Sequence, residues 1–195
     1  EEGDEITINV TPEGYGRIAA QAAKQVILQK LQEAEKQSLF DMFKERINKI
    51  LASPSESDLK VDEFFYFLLM LLESIHLFRF LYHNPADILD KYPGISKGFK
   101  LILRAKESSF RKLLQGYVQK EEMRLSEKEV EQMVHLLSMM LTQAQNYSLL
   151  KGEDIDAEHY LFELLSNILF IMTPFMNVDD EVLQQLKRNI ENETL

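Results

Sequence analysis

Glu73, His76 and Arg79 are the side chains whose types and spacing come nearest to a chemical constellation. At intervals of three residues they fall on adjacent turns of one helix, so a carboxylate, an imidazole and a guanidinium stand within reach of one another. They also interrupt the most apolar stretch of the chain, where a buried polar group is costly unless something satisfies it. Two arrangements meet that demand. The three either pair with one another or reach the surface, or Tyr66, Met70, Glu73 and His76 line a cavity between helices and give an apolar pocket a few polar contacts. His76 and His83, two turns apart, could add a metal site with Glu73, but His135 and His159 fall on other helices and the spacing alone makes no ligand set. No metal and no cofactor are expected. A Gly-rich phosphate loop, a His-Glu-x-x-His pair and a Ser-centred nucleophile elbow are all missing, and with no Cys there is neither a thiolate nucleophile nor a disulfide. The expectation is a protein without catalysis.

The elements that hold these residues read as helices. Of 195 residues, 45% are hydrophobic, and seven Gly and five Pro are too few for a chain of short strands joined by turns. Apolar residues recur at helical spacing from Arg17 to Ala52, with Ser38 as a possible interruption, until Ser53-Pro54 and the polar run to Asp58 end the element. Asp58 or Asp62 is the expected cap of the next helix. That helix, Phe64 to Tyr82, is apolar nearly all round and is therefore central. Asn84-Pro85 opens a short helix through Leu89, Tyr92-Pro93-Gly94 stops it, and a long helix follows from about Ile95 to Met123. Ser126 and Glu129 have capping-box spacing for another that ends at Gly152. Asp156 is the expected cap of a helix carrying Tyr160 to Met172, which Pro174 interrupts, and Asp179 or Asp180 opens the last. Ile6, Ile8 and Val10 alternate as a short strand or extended arm without a visible partner.

The helix from Asp156 to Met172 carries too wide an apolar stripe for one neighbour. Either it is wholly internal, or it meets its own copy in a second subunit, making a two-fold bundle with Gln132 to Gln143.

Charge narrows the partners. The chain carries 22 basic and 32 acidic residues, net −10, and this field repels phosphate backbones. Direct DNA binding by this chain is not expected. From Lys91 to Lys112 seven residues are basic and one, Glu107, is acidic; a solvated face paired with acidic neighbours accounts for this stretch, an anionic partner being the alternative. The longest apolar run, Phe64 to Leu72, is nine residues, too short for a membrane span, and the acidic start has no signal-peptide character. The cytoplasm is the expected location, with no membrane partner.

Two resemblances add to this reading. The run from Phe78 to Leu89 (FRFLYHNPADIL), followed by Tyr92-Pro93 and Phe99, resembles the ligand-binding and dimerisation half of TetR/AcrR-type regulators over about residues 39–192. The likeness implies an all-α bundle of about seven helices, a homodimer and a small apolar or amphipathic ligand. It places the ligand cavity around Tyr66, Met70, Glu73, His76, Phe99 and Leu103. It puts the dimer interface on Met139, Gln143, Leu161, Leu165, Ile168, Leu169 and Met172. The family's DNA-reading helix-turn-helix, expected upstream, is not found in the sequence. Instead Gly3 to Glu13 (GDEITINVTPE) and Gly16 to Ile27 (GRIAAQAAKQVI) resemble the end of the N-terminal domain of the elongation factor NusA, on to Glu35. The chain thus reads as residues 1–37, a NusA-like strand and connecting helix, followed by residues 38–195, a TetR-like effector domain. The alternative is a protein-binding or scaffold module of the elongation machinery, with RNA polymerase as its partner.

Overall fold

The computed structural model describes residues 15–52 and 60–193, all of them in helices or the turns between helices, and the chain divides into two compact units at Ser38 and Leu39. The expected strand Ile6 to Val10, the polar turn from Ser53 to Asp58 and the Asp58 cap lie outside the described residues.

Helix α1 spans Tyr15–Ala52 and passes Ser38 without a break. In the first unit it presents Val26, Ile27, Leu28 and Leu31 to solvent, and Lys30 pairs with Glu33 at 2.6 Å. In the second unit its final turns bury Phe40, Phe43 and Ile47.

The second unit continues with α2 (Val61–Leu77), α3 (Phe80–His83), α4 (Pro85–Lys91), α5 (Pro93–Gln119), α6 (Glu127–Lys151), α7 (Tyr160–Met172), a 3-10 turn (Thr173–Phe175) and α8 (Asp180–Glu191). Helix α2 is the hub, packing against α6 and α7, while α5 lies along α6 and α8 along α7. Phe64, Phe65, Leu68, Leu71 and Leu72 are fully buried, as expected of a helix with apolar residues on every side. The core beside it is aromatic: the Phe40 and Phe99 rings stand 5.2 Å apart, Phe43 and Phe78 5.4 Å, and Tyr82 meets Phe99 edge-on at 5.5 Å.

Several boundaries follow their sequence signals. The Asn84 side chain accepts the Asp87 backbone N–H at 3.3 Å with Pro85 in the first turn of α4. Ser126 and Glu129 close a reciprocal capping box, the Ser126 N–H donating to the Glu129 carboxylate at 2.8 Å. Gly152 ends α6 at φ 76°, a left-handed conformation that a residue without Cβ adopts freely.

Others are corrected. The single helix expected from Phe64 to Tyr82 breaks at Phe78 and Arg79. The Ser74 hydroxyl donates back to the Met70 carbonyl at 2.9 Å, a bond that bends helices, and Arg46 donates to the same hydroxyl at 2.7 Å. Lys60, rather than Asp62, precedes the first turn of α2, its N–H held by the Glu63 carboxylate at 2.7 Å. Tyr92-Pro93-Gly94 both ends α4 and starts α5, because Pro93 fits a first helical turn. Helix α5 stops at Gln119, not Met123: Glu121 turns to φ 60°, and Met123 forms an isolated antiparallel bridge with Met176. Asp156 does not cap α7, which starts four residues later, because its carboxylate is engaged by Arg79 and His76.

Candidate functional site

The polar interruptions of α2 do not pair with one another's side chains. Glu73 is exposed. The His76 ring is half-buried, with Nε2 3.4 Å from an Asp156 carboxylate oxygen and Nδ1 3.4 Å from Gln145 Nε2. Arg79 reaches the same carboxylate at 3.1 Å, so one loop residue between α6 and α7 faces both the imidazole near the end of α2 and the guanidinium of the α2–α3 turn. His76 is held below the ordinary histidine range first by burial and then by the Arg79 charge, with Asp156 pulling the other way. Among the described residues no group of three His, Cys, Asp or Glu side chains is arranged to hold a metal ion.

The six residues expected around a ligand are spread over three environments. Tyr66, Met70 and Glu73 share one solvent-accessible stripe of α2, continued by exposed Leu77. His76 turns toward α6 and the loop before α7. Phe99 is buried in the aromatic cluster, and Leu103 is half-buried on α5.

The expected interface residues divide by face. Met139 and Gln143 on α6 are accessible and Leu161 is half-buried, but Leu165, Ile168, Leu169 and Met172 are packed inside the chain's own core. On that side α7 packs against α2 and α8. Its other side carries Phe170, 80% exposed, beside Ser166 and Asn167. Between this side and α6 run two concavities that share Ile171. One, of about 840 Å3, includes Met139, Gln143, Tyr147 and Phe170; the other, of about 630 Å3, includes Gln132, Leu136 and Phe175. Leu136, Tyr147 and Leu150 are exposed as well. The wide stripe of α7 thus has both an internal and an external face, and helical spacing did not tell them apart because apolar residues occupy both.

One buried group was missed. Lys106 belongs to the basic stretch expected to form a solvated face, yet it is only 3% exposed, wedged between α5 and α6. Its amine donates to Thr142 Oγ1 at 2.8 Å and to the Ser138 carbonyl at 3.4 Å, and burial lowers its pKa to about 8. The signal was in the register: Phe99, Ile102, Phe110, Leu113 and Tyr117 mark the inward stripe of α5, and position 106 lies on it, one turn from Ile102 and one from Phe110.

The described residues of the second unit form an all-α bundle with a central apolar helix, α2, and an outward groove between α6 and α7. The description "TetR, bacterial transcriptional repressor" matches residues 42–186, and the chain belongs to that family. Its fold is similar to that of a TetR-family transcriptional regulator from Marinobacter aquaeolei VT8, with TM-score 0.68 and 13% identity over 91% of this chain and 86% of that one. Residues 1–37 match the NusA N-terminal domain. A 49-residue stretch is 47% identical to the transcription termination/antitermination protein NusA of Bacillus subtilis (strain 168), and 48 residues are 46% identical to that of Halalkalibacterium halodurans. Each alignment covers 25% of this chain and spans 13% of the length of the NusA relative. No helix among the described residues is long and apolar enough to cross a membrane.

Proposed function

We propose that residues 39–195 are the small-molecule-sensing and dimerisation part of a TetR-type transcriptional regulator, without catalysis of its own. The observation that carries this reading is the groove between α6 and α7. Phe170, Met139, Leu136, Tyr147 and Leu150 are accessible along one side of the unit, and an apolar face of that extent is costly to leave in water. A second copy related by a two-fold axis would set its Phe170 into the facing groove while receiving the first copy's Phe170, the self-complementary contact of an isologous dimer. A ligand that fits one packing of α2, α5 and α6 better than another would shift the population between them, and α1 would carry the difference onward. Sedimentation velocity tests the assembly. The chain is expected to run as two copies and Phe170→Asp as one, with the helical circular dichroism of the two unchanged. A wild-type chain that stays single at high concentration would remove the groove from the reading.

A second reading concerns residues 1–37 alone. Val26, Ile27, Leu28 and Leu31 are about half exposed or more, in a segment similar to NusA, and suit docking onto another protein of the transcription machinery. Purified RNA polymerase is the probe. Binding that Leu31→Glu abolishes would support this reading, and no retention of the intact chain would end it.

A further inference from the structure

Among the described residues, no carboxylate stands against the buried Lys106 amine. Its neighbours from α6, Ser138 and Thr142, are neutral, and the charge acting on it is that of Glu107, the next residue of α5, whose side chain makes no ion pair with the amine. An ammonium has three N–H donors, and two are placed here, on Thr142 Oγ1 and the Ser138 carbonyl. Ser138 is itself 5% exposed, and its hydroxyl has no hydrogen-bond partner. Thr142 has no further donor to offer, since its hydroxyl already donates to the Ser138 carbonyl at 2.6 Å. The α5–α6 contact therefore holds one uncompensated positive charge, one unplaced N–H and one unplaced O–H, on helices where Ile102, Phe110 and Leu141 are also buried. A buried charge left this way is costly unless it loses its proton or gains a counter-charge.

We propose that Lys106 and Ser138 form the head-group site for a small monocarboxylate with an apolar body, taken between α5 and α6 as the effector of this domain. The inference rests on the sensing function proposed above and names its ligand class. One carboxylate oxygen would accept from the Lys106 amine and the other from the Ser138 hydroxyl, a charge-assisted pair that neither an amide nor an alcohol reproduces. The apolar body would part α5 from α6 beside half-buried Thr142 and Leu103, altering the packing that the bundle transmits. Acid binding would keep the amine protonated, so affinity would fall as the pH rises through about 8, where the free amine loses its proton.

Thermal denaturation of the full chain with sodium acetate, octanoate, benzoate and phenylacetate, each against its primary amide at matched ionic strength, tests this. At least one of the larger acids is expected to raise the melting temperature at pH 7 and its amide to leave it unchanged. Titration calorimetry should give at least tenfold weaker binding in Lys106→Met, and weaker binding to the wild type at pH 9.5. The pH arm stands on the wild type alone, should Lys106→Met fail to fold. Equal stabilisation by acid and amide, or equal binding to Lys106→Met, would overturn the carboxylate site while leaving sensing intact. No shift with any of the four acids would overturn the site and leave the dimer to be judged by its sedimentation.

Discussion

Phe40 of α1 lays the edge of its ring against the backbone of Gly98 in α5, so that a Cβ built on Gly98 would stand 2.3 Å from Phe40 Cε1 and 2.6 Å from Cζ. The ring cannot swing away cheaply, because Phe40 is 1% exposed and stacked among Phe43 and Phe99. Gly98 is what lets the end of α1 approach α5.

Gly98→Ala should therefore destabilise the second unit even though Ala is the better helix former. Overpacking a filled core costs about 1–3 kcal/mol, against ~1 kcal/mol of helix propensity gained, for a net loss of roughly 1 kcal/mol. Urea unfolding measures this, and Phe40→Leu in the same chain should recover part of the loss. Additive losses in the double variant would mean that the two positions are not coupled.

Ile168→Ala should cost about 2–5 kcal/mol, the range for truncating an aliphatic side chain in a core that cannot collapse. Ile168 is 1% exposed within a single chain. The loss should thus show as a lower urea midpoint at every protein concentration, whereas a defect confined to the dimer would fade as concentration rises.

Lys106 makes the fold pH-dependent. Its pKa is lowered from 10.5 unfolded to about 8 folded, so between those values the unfolded chain binds more protons and stability rises with pH. The full effect is on the order of 3 kcal/mol from this group, present above pH 10.5 and lost on falling through about 8. Lys106→Met should be more stable than the parent at pH 7 and flatten the slope from pH 8 to 10 in guanidinium unfolding. A parental slope that survives the substitution would assign the effect to other groups.

Asp156 raises the pKa of His76 while Arg79 lowers it, so removing either charge should move the imidazole in opposite directions. In an NMR titration of the His76 ring, Asp156→Asn should lower its pKa further and Arg79→Gln should raise it. A histidine unmoved by both changes would mean that Asp156 and Arg79 do not face it in solution.

Helix identity and many of the stops were legible along the chain because they rest on local physics. The Asn84-Pro85 start, the Ser126–Glu129 box and the Gly152 stop each need only residues within one turn, and the long apolar run of α2 marks a mostly buried helix without reference to any neighbour. Which side of a helix meets which partner is a property of the assembled bundle. The stripe of α7 was visible, but the division into a buried side with Ile168 and an open side with Phe170 was decided only when α2 and α8 packed against one of them. Asp156 looked like a cap because caps are local, and it became the counter-charge of Arg79 through a contact 77 residues away. Lys106 looked solvated among its basic neighbours, and only the closeness of α6 made it a buried amine. Hydrogen bonding within a turn is written in consecutive residues; desolvation and long-range pairing depend on what the rest of the chain brings alongside.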